Sequence, residues 1–178
     1  MKYTTNWLIT ETNVDYLFFW GHQPSRDGSI IKTCMSQWWP SEFTEKEIVY
    51  KTAEHYMMAQ KALLFNDLEI FERIIQKDSP KDVKDLGRQI RNFDPEIWDN
   101  NKFQLVKQGN LLKFSQNEQL KQFLLQTKKK VLVEASPVDK IWGIGLTEED
   151  PNARNPTAWK GENLLGFALM EVRDELTK

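Results

Sequence analysis

The chain has 178 residues, 40% of them hydrophobic, 12% aromatic and 28% charged, which is too aromatic for a disordered chain and too charged for a membrane protein. With 24 Lys+Arg against 26 Asp+Glu the net charge is −2, so no global basic field recruits nucleic acid or an acidic membrane. A lone cysteine, Cys34, excludes an internal disulfide and a Cys-rich zinc site, and the opening MKYTTNWLITETN lacks a continuous apolar run, so one soluble cytoplasmic domain over 1–178 is expected.

Two apolar runs come first, Val14 to Trp20 and Ile30 to Trp39, joined by the turn-rich GHQPSRDGS, and both read as strands. Glu47 to Thr52 reads as a third. Ala53 to Phe65 is rich in Ala, Met, Leu, Glu, Gln and Lys without Gly or Pro, and Thr52 is placed to cap it as a helix. Asn66 restarts a helix through Lys77, with Leu68, Phe71, Ile74 and Ile75 spaced along one side. Ser79 with Pro80, and again Asp94 with Pro95, read as an N-cap followed by a first-turn proline, so two more helices start there. The second runs towards Phe114 with Trp98, Phe103, Leu105, Val106 and Leu112 in helical pattern. Asn117 caps another helix ending near Lys128 to Lys130. Val131 to Ser136 is the strongest later strand, and after an irregular stretch to Gly161 a last helix carries Leu165, Ala168, Leu169, Val172 and Leu176. The elements compose an α+β domain, mostly helical, with a small β-sheet.

Common chemical motifs are absent. His22 and His55 are the only histidines and sit in no HExxH arrangement, no Walker A sequence occurs, and WGIG at Trp142 to Gly145 has Glu148 where a dinucleotide fingerprint needs its third glycine. No metal and no cofactor are expected. Cys34 reads as a buried thiol rather than a nucleophile, since no activating base is visible nearby. On the helix from Ala53, Glu54 and Lys61 are seven residues apart, two turns along nearly the same stripe and roughly 10 Å apart by helical rise. With Tyr56, Met57 and Met58 between them they can line an apolar pocket. The alternative is ordinary, with Glu54 stabilising the helix dipole and Lys61 solvated.

Three segments, TAEHYMMAQKA (52–62), ASPVDKIWGIG (135–145) and WKGENLLGFALMEVRDEL (159–176), resemble in order the signature blocks of the YbiA-like, or NADAR, N-glycosidases. The resemblance covers about 15–176, and FDPEIWDNNKFQLVKQGNLLKF is similar to the family's Trp-bearing helix. FFWGHQP and MSQWWP replace the family's phenylalanine and Ser-Asn-Phe pattern, and Glu162 stands where many members carry Lys.

The resemblance implies a YbiA-like fold and hydrolysis of a bond between ribose C1 and a nitrogen. Family members act on early riboflavin-pathway intermediates, releasing ribose 5-phosphate, or on ADP-ribosyl guanine in nucleic acid. Positive charge develops at C1 as the base leaves, and Glu54 is the carboxylate that would stabilise it. Asp139 would orient water or a ribose hydroxyl, and Lys61 would bind phosphate, protonate the leaving base or form a Schiff base. Trp142, Trp159, Trp98 and Trp20 are expected to contact substrate, Gly143 and Gly145 to let the backbone approach it, and Asn163 with the start of the last helix to hold phosphate. A small phosphorylated ribosyl-pyrimidine or ADP-ribose-type ligand is the expected partner. Nucleic acid ranks lower, because Lys102, Lys107, Lys113, Lys121, Lys128, Lys129 and Lys130 read as a solvated helical face. A catalytically silent binding module would keep Trp142 and Asn163 but lose Glu54 or Asp139, and both acids are present.

Overall fold

The computed structural model describes every residue, Met1–Lys178. Seven α-helices and four short strands give the expected α+β class, with the strands forming two separate two-stranded ladders. The chain divides into two compact units, one built from Met1–Ser36 and Glu118–Lys178, the other from the continuous segment Gln37–Asn117.

In the unit made from both chain ends, β1 (Tyr16–Phe19) lies parallel to β4 (Val131–Glu134) in the register Tyr16↔Val131 to Phe19↔Glu134. Parallel pairing demands a long crossover, and here it contains the whole second unit. Leu132 and Val133 are fully buried, and α7 (Leu164–Leu176) packs on β4 so closely that a Cβ at Gly166 would lie 2.1 Å from the Leu132 carbonyl oxygen. Asn163 does not act as a side-chain N-cap. It adopts the left-handed conformation at φ 55°, and its amide instead accepts from Glu134 N at 2.9 Å and donates to Leu132 O at 2.9 Å, binding β4 as a neighbouring strand would. Helix α6 (Glu118–Gln126) also packs against α7, whose Arg173 donates to Thr127 Oγ1 and Lys130 O. A short α1 (Thr5–Thr10), capped by Thr4 and not foreseen, packs on a 3-10 turn at Pro156–Ala158.

The expected strand over Ile30 to Trp39 does not form; its middle is a 3-10 turn, Lys32–Met35, that buries Cys34 and Met35 completely. A short apolar run does not separate strand from helix, and the interspersed Lys32, Thr33 and Ser36 interrupt the period-2 alternation.

The segment Gln37–Asn117 begins with a hairpin, β2 (Phe43–Glu45) and β3 (Ile48–Tyr50), turned through Lys46 and Glu47, both at positive φ. Two such residues make a type I′-like turn, but Lys-Glu lacks the Asn-Gly chemistry that announces one, so β2 goes unforeseen. Helix α2 (Ala53–Leu64) starts where expected: Thr52 Oγ1 accepts from His55 N, and the His55 ring lies between Thr52 Oγ1 and Lys77 O. Packed by α3 (Leu68–Gln76), α4 (Pro80–Gly87) and α5 (Pro95–Gln116), α2 is buried from Ala53 through Ala59.

Asp67, rather than Asn66, caps α3. Its buried carboxylate accepts from Ile70 N and from Arg91 N at 2.9 Å and Nε at 3.0 Å, and these bonds hold its pKa well below the usual carboxylate range. The buried side of α3 is carried by Ile70 and Ile74, while Leu68 faces solvent. Ser79 and Asp94 cap α4 and α5 with a proline in the first turn, as their sequences dictate. Asn117 closes α5 by donating to Lys113 O and Glu42 O instead of opening α6.

The contact between α7 and β4 generates a stability prediction. Gly166→Ala drives a methyl into the Leu132 carbonyl, a rigid strand backbone, and should lower stability by about 1–3 kcal/mol despite the higher helix propensity of alanine. Urea unfolding should show a lower midpoint at unchanged slope; an unchanged or higher midpoint would mean that the strand yields.

Candidate active site

The residues singled out from the sequence fall into two groups. In the segment 37–117, Glu54 occupies the second position of α2 and is 3% exposed. Glu54 N, in this first helical turn, donates to the Gln37 carbonyl at 2.9 Å, so the Gln37 backbone fixes the entrance of the helix. Two turns on, Lys61 is not the solvated lysine that its spacing alone allows. Its Nζ donates to Gly87 O at 3.0 Å and lies 4.3 Å from the Phe93 ring centroid and 5.4 Å from that of Trp98, a half-buried ammonium between aromatic faces. Burial pushes the Lys61 pKa down, and the charge of Glu54 opposes that shift.

The intervening residues are structural. Tyr56 packs against Phe43 and Tyr50 and donates to Glu45 Oε2 at 3.1 Å, and Met58 fills the space left by the missing side chain of Gly87. Burial raises the Tyr56 pKa far above its ordinary value, with Glu45 adding to the shift, so the phenol stays protonated and donates.

Opposite α2, α5 presents an unexpectedly polar buried face, with Lys102 8% exposed, Asn110 and Lys113 at 0%, interleaved with Val106 and Phe114. Lys102 pairs with Asp99 at 2.7 Å, and the Lys113 ammonium lies 5.1 Å from the Phe114 ring centroid. Lys102 and Lys113 therefore depart from the expected solvated lysine face as core residues, while Lys107, Lys121, Lys128, Lys129 and Lys130 are half-buried or exposed. The signal was available in the spacing, since 102, 106, 110 and 113 fall on one helical stripe.

The second group lies in the unit made from both ends, on the loop between β4 and α7. Asp139 Oδ1 accepts from Ile141 N at 2.9 Å and Trp142 N at 2.8 Å, an Asx turn that shapes WGIG and leaves Oδ2 outside it. Gly145 sits at φ 67°, a conformation glycine adopts without strain. The expectation that Gly143 and Gly145 bring backbone close to substrate is not what their surroundings show. Both are buried, and a Cβ at Gly143 would meet Glu134 O at 2.8 Å while one at Gly145 would meet the Lys160 side chain at 2.9 Å. The glycines serve the loop's packing on its own chain.

The start of α7 is likewise closed to phosphate. Leu164 N donates to Ile141 O, Leu165 N to Trp142 O and Asn163 N to Gly143 O, while the Asn163 amide is spent on β4. Trp159 Nε1 donates to Ala153 O at 2.8 Å, anchoring a half-buried indole. Trp142 is half-buried and Trp20, at the end of β1, is 53% exposed.

No group of three or more His, Cys, Asp or Glu side chains gathers with the geometry of a metal site, and no helix is long and apolar enough to cross a membrane.

Residues 18–177 match the NADAR domain, a match that runs through both units. The chain is 48% identical over 165 residues to N-glycosidase R617 of Acanthamoeba polyphaga mimivirus, covering 90% of this chain and 95% of that protein. To N-glycosidase YbiA of Escherichia coli (strain K12) it is 33% identical over 138 residues, covering 78% and 76%. The NMR structure of E. coli YbiA superposes with a TM-score of 0.73 at 26% identity, over 94% of this chain and 88% of that one.

The setting of Lys61 predicts its titration. Below the ordinary lysine value of 10.5 the unfolded chain holds more protons than the folded one, so in that window Lys61 makes stability rise with pH. NMR titration of labelled lysine Cε should place the Lys61 midpoint below 10.5, and Glu54→Gln should lower it further by removing the charge that favours the ammonium. A midpoint above the ordinary value, or one raised by Glu54→Gln, would contradict the burial argument.

Proposed function

The chain belongs to the NADAR family, and from that membership we propose that it is an N-glycosidase hydrolysing the bond between C1 of a phosphorylated ribose and a nitrogenous base. Its substrate is an early riboflavin-biosynthesis intermediate, which yields an aminopyrimidine and ribose 5-phosphate in the cytoplasm. The observation that carries this reading is the buried Glu54 carboxylate, electrostatically coupled to a half-buried Lys61 held between Phe93 and Trp98.

In the reaction the C1–N bond breaks with its electron pair leaving on nitrogen, and water adds hydroxide to C1 while its proton replaces the lost bond on the base. Positive charge grows on C1 and the ring oxygen. A carboxylate removed from water stabilises that charge more strongly than one in bulk solvent, and its placement at the first turn of a helix costs no reorganisation. Lys61 supplies either an ammonium, for the leaving base or a phosphate, or a neutral amine that attacks C1 and forms a Schiff base with the opened sugar. Its lowered pKa increases the neutral fraction. Asp139, through Oδ2, is assigned to water or a ribose hydroxyl, and the indoles of Trp142, Trp159, Trp98 and Trp20 to base and ribose contacts.

A small substrate is favoured over nucleic acid because the lysines of 102–130 make a poor phosphate track. Lys102 and Lys113 are buried, and Lys102 and Lys130 are engaged by Asp99 and Asp15. Phosphate binding must therefore be local, and the closed start of α7 does not supply it.

Incubation with riboflavin precursors, NAD, ADP-ribose and ADP-ribosylated guanine DNA, followed by product analysis, tests class and substrate together. Release of ribose 5-phosphate from the pyrimidine precursor, with a shallow salt dependence, is expected. Steeply salt-sensitive turnover of modified DNA alone would move the assignment to an ADP-ribosyl-guanine hydrolase.

Glu54→Gln, nearly isosteric, should lower kcat by ~10²-fold or more with KM little changed, and retention of half the wild-type kcat would remove Glu54 from the mechanism. Prolonged EDTA treatment should leave the rate unchanged. Loss of activity restored by a divalent cation would instead make Glu54 and Asp139 metal ligands.

A further inference from the structure

We propose that the unit built from both chain ends carries a second ligand site, for a nucleoside monophosphate, in the cavity at the start of its parallel strand pair. The site shares no residue with the candidate active site, and it stands or falls independently of the N-glycosidase reading.

A cavity of about 550 Å³ opens there between residues 11–15, which lead into β1, and residues 126–131, which lead into β4, with Trp7 of α1 as an aromatic wall. That volume falls within the roughly 300–1,000 Å³ of small-molecule sites. Its walls are fixed before any ligand arrives. Val131 N donates to Asp15 O at 2.8 Å and Lys130 pairs with Asp15 at 3.4 Å, so the two segments are locked to each other. Arg173, only 5% exposed, donates through Nη1 to Thr127 Oγ1 and to Lys130 O, both at 2.8 Å, and pins the turn that presents Lys128 and Lys129. Trp7 is held by the Thr4 cap of α1 and by an edge contact with Tyr3, whose hydroxyl donates to Asp174 of α7.

What these walls leave uncommitted selects the ligand. The Lys128 and Lys129 ammonium groups are exposed, line the cavity and have no acceptor within the protein, whereas Lys130 is neutralised by Asp15. The indole N–H of the half-buried Trp7 likewise donates to no protein group. Two free cations call for an anion, and a phosphate monoester, with a charge of about −1.5 to −2 at neutral pH, matches them. The indole calls for a planar ring, which a nucleobase supplies. Glu11, exposed at the same cavity and without an ion pair, sets the upper limit of charge. It repels the second phosphate of a diphosphate or the next phosphate of a nucleic-acid strand, yet accepts from a ribose hydroxyl. The ligand is therefore a base and ribose with a single phosphate.

Adenosine 5′-monophosphate is the probe, titrated into the ¹⁵N-labelled protein, with the Trp7 indole resonance assigned from its loss in Trp7→Leu. That resonance and the amides of Asn13 and Lys129 should shift together and saturate. Adenosine alone and inorganic phosphate alone should each bind about tenfold more weakly or worse, and adenosine 5′-diphosphate no tighter than the monophosphate. The double variant Lys128→Gln with Lys129→Gln keeps side-chain length at exposed positions. It should weaken the monophosphate by about tenfold or more, leave adenosine unchanged and leave turnover of any ribosyl substrate unchanged, with the melting temperature reporting that it folds.

Absence of a saturable Trp7 shift at millimolar monophosphate overturns the site, and so does a shift that the double lysine variant leaves unchanged. Equal binding of adenosine and its monophosphate overturns the phosphate assignment. Tighter binding of the diphosphate, or of a single-stranded oligonucleotide, overturns the limit assigned to Glu11. Shifts confined to the Trp142 and Trp159 indoles would place the nucleotide in the candidate active site and overturn the proposal as well.

Discussion

Helix α2 is enclosed by α3, α4 and α5, and most of what distinguishes this protein follows from placing a carboxylate and an amine on a helix with so little access to water. In bulk solvent Glu54 and Lys61 would interact weakly across two helical turns. Enclosed, the dielectric falls, each charge acts on the other, and the desolvation that lowers the Lys61 pKa also sharpens the field of Glu54. The helix tolerates this because its ends are tied down independently. Thr52 and the Gln37 carbonyl satisfy its first turn, and the buried Asp67 carboxylate joins the following helix to Arg91. Gly87 and Gly109, where Met58 and Tyr56 occupy the space a side chain would need, let α4 and α5 approach α2 closely.

The unit built from both chain ends solves a different problem. A parallel ladder of two strands has too little hydrogen bonding to stand alone, and β4 is completed by a side chain: the Asn163 amide satisfies the Leu132 carbonyl and the Glu134 N–H. That substitution requires the left-handed backbone at Asn163, which asparagine accepts more readily than most residues, and the absence of a Cβ at Gly166. The WGIG loop is folded around the same point through Asp139 and the Gly143 carbonyl. Its glycines and asparagine are thus explained by close packing of the chain on itself.

What was legible in the sequence was local. Thr52, Ser79-Pro80 and Asp94-Pro95 announced helix starts because a cap bonds within three residues of itself, and Val131 to Glu134 announced a strand because it is buried on both faces. What was misread depended on partners distant in the chain. Asn163, expected to hold phosphate with the start of the last helix, is instead claimed by β4. Ile30 to Trp39 has the composition of a strand but no partner, and Lys113 belongs to a basic run until the folding of α5 turns it inward. The Glu54 and Lys61 spacing was readable, yet the same spacing describes a solvated pair. Only the positions of Phe93 and Trp98, supplied by a turn and by α5, decide that Lys61 is half-buried.

Two buried asparagines show how a side-chain amide braces each unit. Asn163 and Asn110 are each 0% exposed, and each uses its amide donors on the backbone or a side chain of its own unit. Asn163 also uses its oxygen, on Glu134 N, so both of its polar atoms are engaged by β4. Asn110 keeps its oxygen, and its partner Gln37 keeps a nitrogen. If burial alone had shaped that position, an apolar side chain would avoid the cost of an unsatisfied amide. Its two donated hydrogen bonds, to Val106 O and Gln37 Oε1, instead tie α5 to the segment that enters α2, and that tie is what the amide contributes. The destabilisation is tolerable because it sits against α2, the most thoroughly packed element of its unit, where the surrounding apolar burial holds the geometry in place.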